Sequence, residues 1–233
     1  AARAICYANA VAIDTAHHGA DDAARTSGQA RADLLTPIAK SFSTDIGCEV
    51  ASLGVQIHGG MGFIEETGAG QYYRDARILP IYEGTNGIQA IDLVSRKLPL
   101  GNGSVARTFI TEMKDTAAAA HASNNADMIA VATALDAGLA ALDTATDYML
   151  SNLKSAPNDC LAGASPYLRL FGTVAGGHFL ARAALASAEG AAPRITLARF
   201  YADQVLPASL GLVGPATAGA AALFALDEAA LAG

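Results

Sequence analysis

From Leu35 to Ile57 a large apolar residue recurs every three or four positions: Leu35, Ile38, Phe42, Ile46, Val50, Leu53 and Ile57. That step marks one face of an α-helix, because an α-helix completes a turn in about 3.6 residues. No sustained alternation of period two, the pattern of a half-buried strand, occurs anywhere in the chain, and β-branched runs are few. The spacing therefore predicts an all-α protein built around one long amphipathic helix, which delivers Gln56 and a glycine turn, His58-Gly59-Gly60-Met61-Gly62, at its C-terminal end. Thr36-Pro37 reads as the N-cap and first turn of that helix. The polar stretch Asp21–Arg31 before it reads as a connection to an earlier helix, Arg3–His17.

Beyond the glycine turn, a short helix over Ala69–Arg77 is expected, with Arg74 and Asp75 in local ion pairs. Pro80 then disfavours helix at Leu79 and leaves Ile81-Tyr82-Glu83-Gly84 as a loop. Thr85 or Asn86 can cap the next helix, whose apolar residues Ile88, Ile91, Leu93 and Leu98 run up to Pro99. Glu83 thus stands at a loop-to-helix junction between apolar neighbours. Partial desolvation there makes a carboxylate a better base, while a helix N-terminus acts in the opposite direction by stabilising the anion. Gly84, Gly59, Gly60 and Gly62 would let a substrate or cofactor approach the backbone closely. Taken singly, these are ordinary turn glycines and an ordinary acid at a helix start.

After Lys97 the composition changes. Leu98-Pro99-Leu100-Gly101-Asn102-Gly103-Ser104 has the residues of a linker, which divides the chain into residues 1–98 and 104–233. The second part is alanine-rich and predicts its own helices. Val105, Phe109 and Met113 mark one. Asn125–Leu153 forms another, with Met128, Leu135, Leu139, Leu142 and Met149 inward. Further helices start near Ser165-Pro166 and Pro193, and a last one ends near Ala230. Gln204–Leu226 is uncharged, but prolines and glycines interrupt it, so a helix pair and not a membrane span is expected. Cys6, Cys48 and Cys160 are widely spaced and unpaired in pattern, which suits a reducing, cytoplasmic setting and gives no metal site. His178, after two glycines, reads as a packed or capping residue.

Three blocks, Gln-Ile-His-Gly-Gly-Met-Gly-Phe (56–63), Tyr-Arg-Asp-Ala-Arg-Ile (73–78) and Ile-Tyr-Glu-Gly-Thr-Asn-Gly-Ile-Gln (81–89), occur in that order and spacing. Together they resemble the C-terminal helical bundle of the acyl-CoA dehydrogenase family. The second part resembles the extra helical domain of a subset of larger members, 3-methylthiopropanoyl-CoA dehydrogenases among them. The resemblance implies that Glu83 is the base that takes the α-proton of an acyl-CoA thioester, and that its backbone N–H helps bind the thioester oxygen. It also implies FAD contacts from Gln56, Gly59 and Gly60 to the ADP half in a neighbouring subunit, and from Thr85 and Asn86 to the flavin of their own. Tyr82 and Gly84 would border the substrate. The family further implies a homodimer or tetramer, an electron-transfer flavoprotein as acceptor, and upstream helical and β-domains. The sequence therefore reads as a fragment that is inactive alone.

Two other readings compete. An acyl-CoA oxidase would share all of these motifs. A DNA-associated alkylation-response flavoprotein would share the fold, but residues 1–100 carry 8 basic against 11 acidic side chains and the remainder 7 against 11, with no basic cluster for nucleic acid.

Overall fold

The computed structural model describes residues 1–187 and 191–231. Every regular element among them is helical: α1 (Ala2–His18), α2 (Asp22–Ile57), α3 (Gly60–Phe63), α4 (Ala69–Ala76), α5 (Asn86–Asp92), α6 (Ser104–His121), α7 (Ala126–Asn152), α8 (Pro157–Ala162), α9 (Ala164–Leu185), α10 (Ala191–Gln204), α11 (Val213–Thr217) and α12 (Glu228–Leu231). After α5 the chain continues through a π-helical turn, Leu93–Lys97, in which Leu98 N–H donates to Leu93 C=O at 2.8 Å.

The long helix begins earlier than its apolar repeat suggests. The Asp21 carboxylate accepts from Ala24 N–H at 2.8 Å and caps α2 at Asp22, so Asp21–Arg31 is helix and Pro37 lies inside it. The buried face of this first stretch is made of small residues, which weakens the periodic signal. Gly28 lies so close to α1 that a Cβ there would sit 2.6 Å from the Ala16 nitrogen. Pro37 removes one backbone hydrogen bond from the helix. Its neighbours Leu34, Leu35 and Ile38 are all fully buried, and their burial offsets that loss.

α9 is the central helix, packing on α6, α7 and α10 and also on α1, α2 and α5. Where it crosses α2, the Phe42 ring lies over Gly172, and any Cβ at that glycine would fall 2.6 Å from ring atoms. The expected pair of segments, 1–98 and 104–233, consequently meets in one connected core. Leu34, Leu35, Ile38, Phe42, Leu93 and Leu98 join Phe109, Met113, Leu135, Leu142, Tyr167 and Phe171. Polar bonds cross between the segments as well. Arg31 makes a bidentate pair with Glu112, both bonds 2.8 Å, while its guanidinium lies 3.9 Å from the centre of the Phe109 ring. Arg169 reaches Glu49 at 2.8 Å.

Met128, Leu135, Leu139, Leu142 and Met149 are all buried on α7, as their spacing predicts. By length and a mean hydropathy of 1.4, α7 is the one helix among the described residues that meets the measure of a membrane span, yet half of that window is buried in the bundle. Its carboxylates Asp127, Asp136, Asp143 and Asp147 pair with Arg199, His121, Lys114 and Arg107. Gln204–Leu226 does not form the expected helix pair. It breaks into short pieces, with 3₁₀ turns at Leu206–Leu212 and Ala221–Phe224 on either side of α11. Pro207 and Pro215 lack the N–H that a continuous helix uses, and Gly219 sits at φ 77°. Cys6, Cys48 and Cys160 are all free thiols.

Candidate active site

Past α4 the chain turns tightly, with Ile78 C=O accepting from Ile81 N–H at 2.9 Å and Tyr82 N–H at 3.1 Å. Asn86 N–H then donates to Pro80 C=O at 3.0 Å, which closes a loop over residues 80–86. Inside it Glu83 has φ 53° and Gly84 φ 81°. Left-handed backbone is free for glycine but costs a glutamate roughly 1–2 kcal/mol. Glu83 and Asn102 are the only non-glycine residues among those described that carry a positive φ. Strain of this kind persists where the surroundings enforce it, and it clusters at functional sites.

Glu83 is exposed, with Ile81 47% and Tyr82 49% exposed beside it. Among the described residues the apolar enclosure expected around the carboxylate is therefore not formed, because the two apolar side chains before it are themselves about half exposed. Among the described residues its N–H has no intrachain acceptor, while its carbonyl takes a long bond from Gln89 Nε2, 3.5 Å. Thr85 precedes α5 but makes no side-chain cap bond.

Asn86 is held in a different way. Its Nδ2 donates toward Asp45 Oδ1 at 2.7 Å, Thr44 Oγ1 at 2.9 Å and the Ser41 carbonyl at 3.2 Å. Its Oδ1 accepts from Lys40 Nζ at 2.8 Å. The amide's donors and acceptor are thus occupied by α2. Burial lowers the proton affinity of the Lys40 ammonium, which Asp45 nearby only partly offsets.

An open cleft of about 810 Å³ lies between α2, α4 and the start of α5, lined in part by Cys48, Tyr73, Arg77, Ile81, Thr85 and Asn86. Glu83, Gly84 and Tyr82 stand beside it in sequence without lining it. Gln56, Gly59 and Gly60 are exposed at the far end of α2 and line no part of this cleft, so the expected cofactor residues fall into two separate sets. A Cβ added to Gly59 or Gly60 would meet nothing within 4 Å, whereas one at Gly62 would fall 2.2 Å from Val55 O. Gly62 is needed by the fold. Gly59 and Gly60 leave open backbone.

The apolar stripe of α2 changes character along its length. Leu35, Ile38 and Phe42 are buried, but Val50 is 60%, Leu53 59% and Ile57 84% exposed, continuing to Met61 and Phe63. Arg74 pairs with Glu65, at 2.9 and 3.0 Å, and not with Asp75. The 3₁₀ turn at Glu65–Thr67 brings Glu65 beside α4, a proximity that sequence separation does not reveal.

The same organisation recurs in known proteins. A family profile described as acyl-CoA dehydrogenase, C-terminal domain, matches residues 1–98, and one described as acetyl-CoA dehydrogenase C-terminal like matches residues 109–227. The 3-methylmercaptopropionyl-CoA dehydrogenase of Ruegeria pomeroyi is 43% identical over 88% of this chain and 36% of that protein. This chain belongs to the acyl-CoA dehydrogenase family. A butyryl-CoA dehydrogenase of Syntrophomonas wolfei is 30% identical over 49% of the chain and 19% of that protein. The caffeyl-CoA reductase-Etf complex subunit CarC of Acetobacterium woodii is 44% identical over 22% and 14% respectively. The chain spans about a third or less of the length of these relatives.

Members of this family are flavoproteins, and the residues present fit one edge of a flavin nucleotide. Gly59 and Gly60 offer unobstructed backbone, and the cleft beside Thr85 is open. Sequence reasoning missed the α2 residues that line this cleft, Asp45 and Cys48, and those that bond to Asn86 at its edge, Lys40 and Thr44. Their signal was a polar stripe at four-residue steps, Lys40, Thr44, Cys48 and Ser52, running beside the apolar one.

Proposed function

We propose that this chain is the C-terminal part of a FAD-dependent acyl-CoA dehydrogenase, in which Glu83 removes the α-proton of an acyl-CoA thioester on the way to a 2-enoyl-CoA. The observation that carries the reading is the strained, left-handed Glu83 presented from a closed loop beside the cleft at Thr85. Its unpartnered N–H is available to bind the thioester oxygen as negative charge develops there. Bound FAD would supply acceptance of the hydride from the β-carbon. Tyr82 and Gly84 border the acyl-CoA, Thr85 lies at the flavin with Asn86 behind it, its amide turned to α2, and Gln56, Gly59 and Gly60 meet the ADP half of FAD held by a neighbouring copy. The exposed apolar half of α2 is the surface through which the homodimer or tetramer assembles, since contiguous apolar patches of that kind mark interaction sites. Exclusion of water from Glu83 then comes from the rest of the enzyme.

The identity to the 3-methylmercaptopropionyl-CoA enzyme makes that thioether-substituted thioester the first substrate to try. An electron-transfer flavoprotein is the proposed acceptor, supported by the Etf-complex relative. Three free thiols support a cytoplasmic setting. Rapid mixing of the flavin-loaded enzyme with acyl-CoA tests the reaction. Flavin bleaching that is lost in Glu83→Gln is the expected result, and near-normal bleaching in that variant would place the base elsewhere. Oxygen consumption during turnover would indicate an oxidase.

A further inference from the structure

We infer that Asn86, through its bonds to Lys40, Thr44 and Asp45, is a positioning residue that holds the Glu83 loop in register with α2. This rests on the reading of Glu83 as the base. The loop between α4 and α5 is tied down at two points. At its beginning Cys48 Sγ donates to Ala76 C=O at 3.2 Å. At its end stands Asn86, which bonds in two directions at once. Its backbone N–H closes the loop on Pro80 C=O at 3.0 Å, and its side chain joins four residues of α2. Between these points the side chains of Ile81, Tyr82 and Glu83 are exposed and give the loop little packing of its own. The left-handed geometry of Glu83 therefore depends on the hydrogen bonds at the loop's end.

Asn suits this position because its amide both donates and accepts. Lys40 supplies a cationic donor to Oδ1, and the Asp45 carboxylate receives Nδ2. Asp at 86 would keep an acceptor for Lys40 but lose the donor and face Asp45 with like charge. Since the amide is occupied by α2, Asn86 acts on the reaction through the loop it holds. A small displacement of a reacting group lowers the rate steeply.

The test compares the parent flavin-loaded enzyme, Asn86→Asp, and Asn86→Asp combined with Asp45→Asn, which restores a donor–acceptor pair with the roles exchanged. In Asn86→Asp the limiting rate of flavin reduction per bound flavin should fall roughly ten- to a hundredfold. FAD content and the acyl-CoA concentration at half-saturation should change little. The double variant should recover most of the loss. Lys40→Met, which removes the donor to Oδ1, should give a smaller fall in the same direction. An unchanged rate in Asn86→Asp, a double variant no faster than the single one, or loss of FAD with the rate per bound flavin intact would each overturn the inference. The last of these would make Asn86 a cofactor contact. Should the parent show no bleaching with any acyl-CoA, the proposed reaction falls, and amide exchange decides the positioning claim independently. Peptides covering 79–87 should exchange slowly in the parent, fast in Asn86→Asp, and slowly again in the double variant; equal exchange in all three would refute it.

Discussion

His178 gives a quantitative test of the core. It lies on α9, 1% exposed, edge-on to the Phe109 ring at 5.8 Å, and neither ring nitrogen has a hydrogen-bond partner among the described residues. Burial first, and then the Arg182 and Arg31 charges, push its proton affinity down to about 3. In the unfolded chain an unperturbed histidine titrates near 6.5. Between those values the unfolded chain binds a proton that the folded protein refuses, so stability falls as pH falls, by up to about 1.4 kcal/mol per pH unit. Folded stability at pH 4.5 should accordingly lie roughly 2–3 kcal/mol below that at pH 7 on account of His178 alone. His178→Leu is close in volume, suits a helix interior and removes the buried polar atoms. Denaturant unfolding of both proteins from pH 7 to pH 4.5 isolates the term, because other titrating groups are common to both. The expected result is a variant whose stability advantage over the parent grows as pH falls. Parallel profiles would show that His178 titrates normally in the folded protein and would refute its isolation in the core.

Glu83→Gln preserves volume and leaves the backbone N–H in place, so flavin reduction by acyl-CoA should slow by roughly a hundredfold or more while FAD stays bound; stopped-flow absorbance measures it. Gly172→Val sets a side chain against the Phe42 ring and should destabilise the protein by about 1–3 kcal/mol in denaturant unfolding. Ile57→Asp, at a position 84% exposed, should leave the Tm nearly unchanged while lowering the assembly mass in light scattering, and an unchanged mass would remove this end of α2 from the subunit contact. The 233-residue chain purified alone should be colourless, since its open cleft does not enclose a cofactor; stoichiometric flavin absorbance would contradict this.

The all-α class, the helix from Leu35 to Ile57, the inward residues of α7 and the loop after Pro80 were all readable from local spacing and proline placement. Each depends on periodicity or on covalent geometry, which neighbours in sequence report directly. Family membership was legible for a related reason: three blocks keep their order and spacing. Tertiary structure alone decided the rest. The Asp21–Arg31 helix escaped because a glycine and alanines packed at close range leave no large apolar signature, and the pairing of Arg74 with Glu65 depends on how a short turn folds back. The exposure of Glu83, and of Val50, Leu53 and Ile57, was equally hidden, because an apolar stripe specifies that a surface will be covered without saying by what. Asn86 shows the same limit. Its amide reads as a capping group in the sequence, and only the arrival of α2 beside α5 turns it into the tie that holds the Glu83 loop.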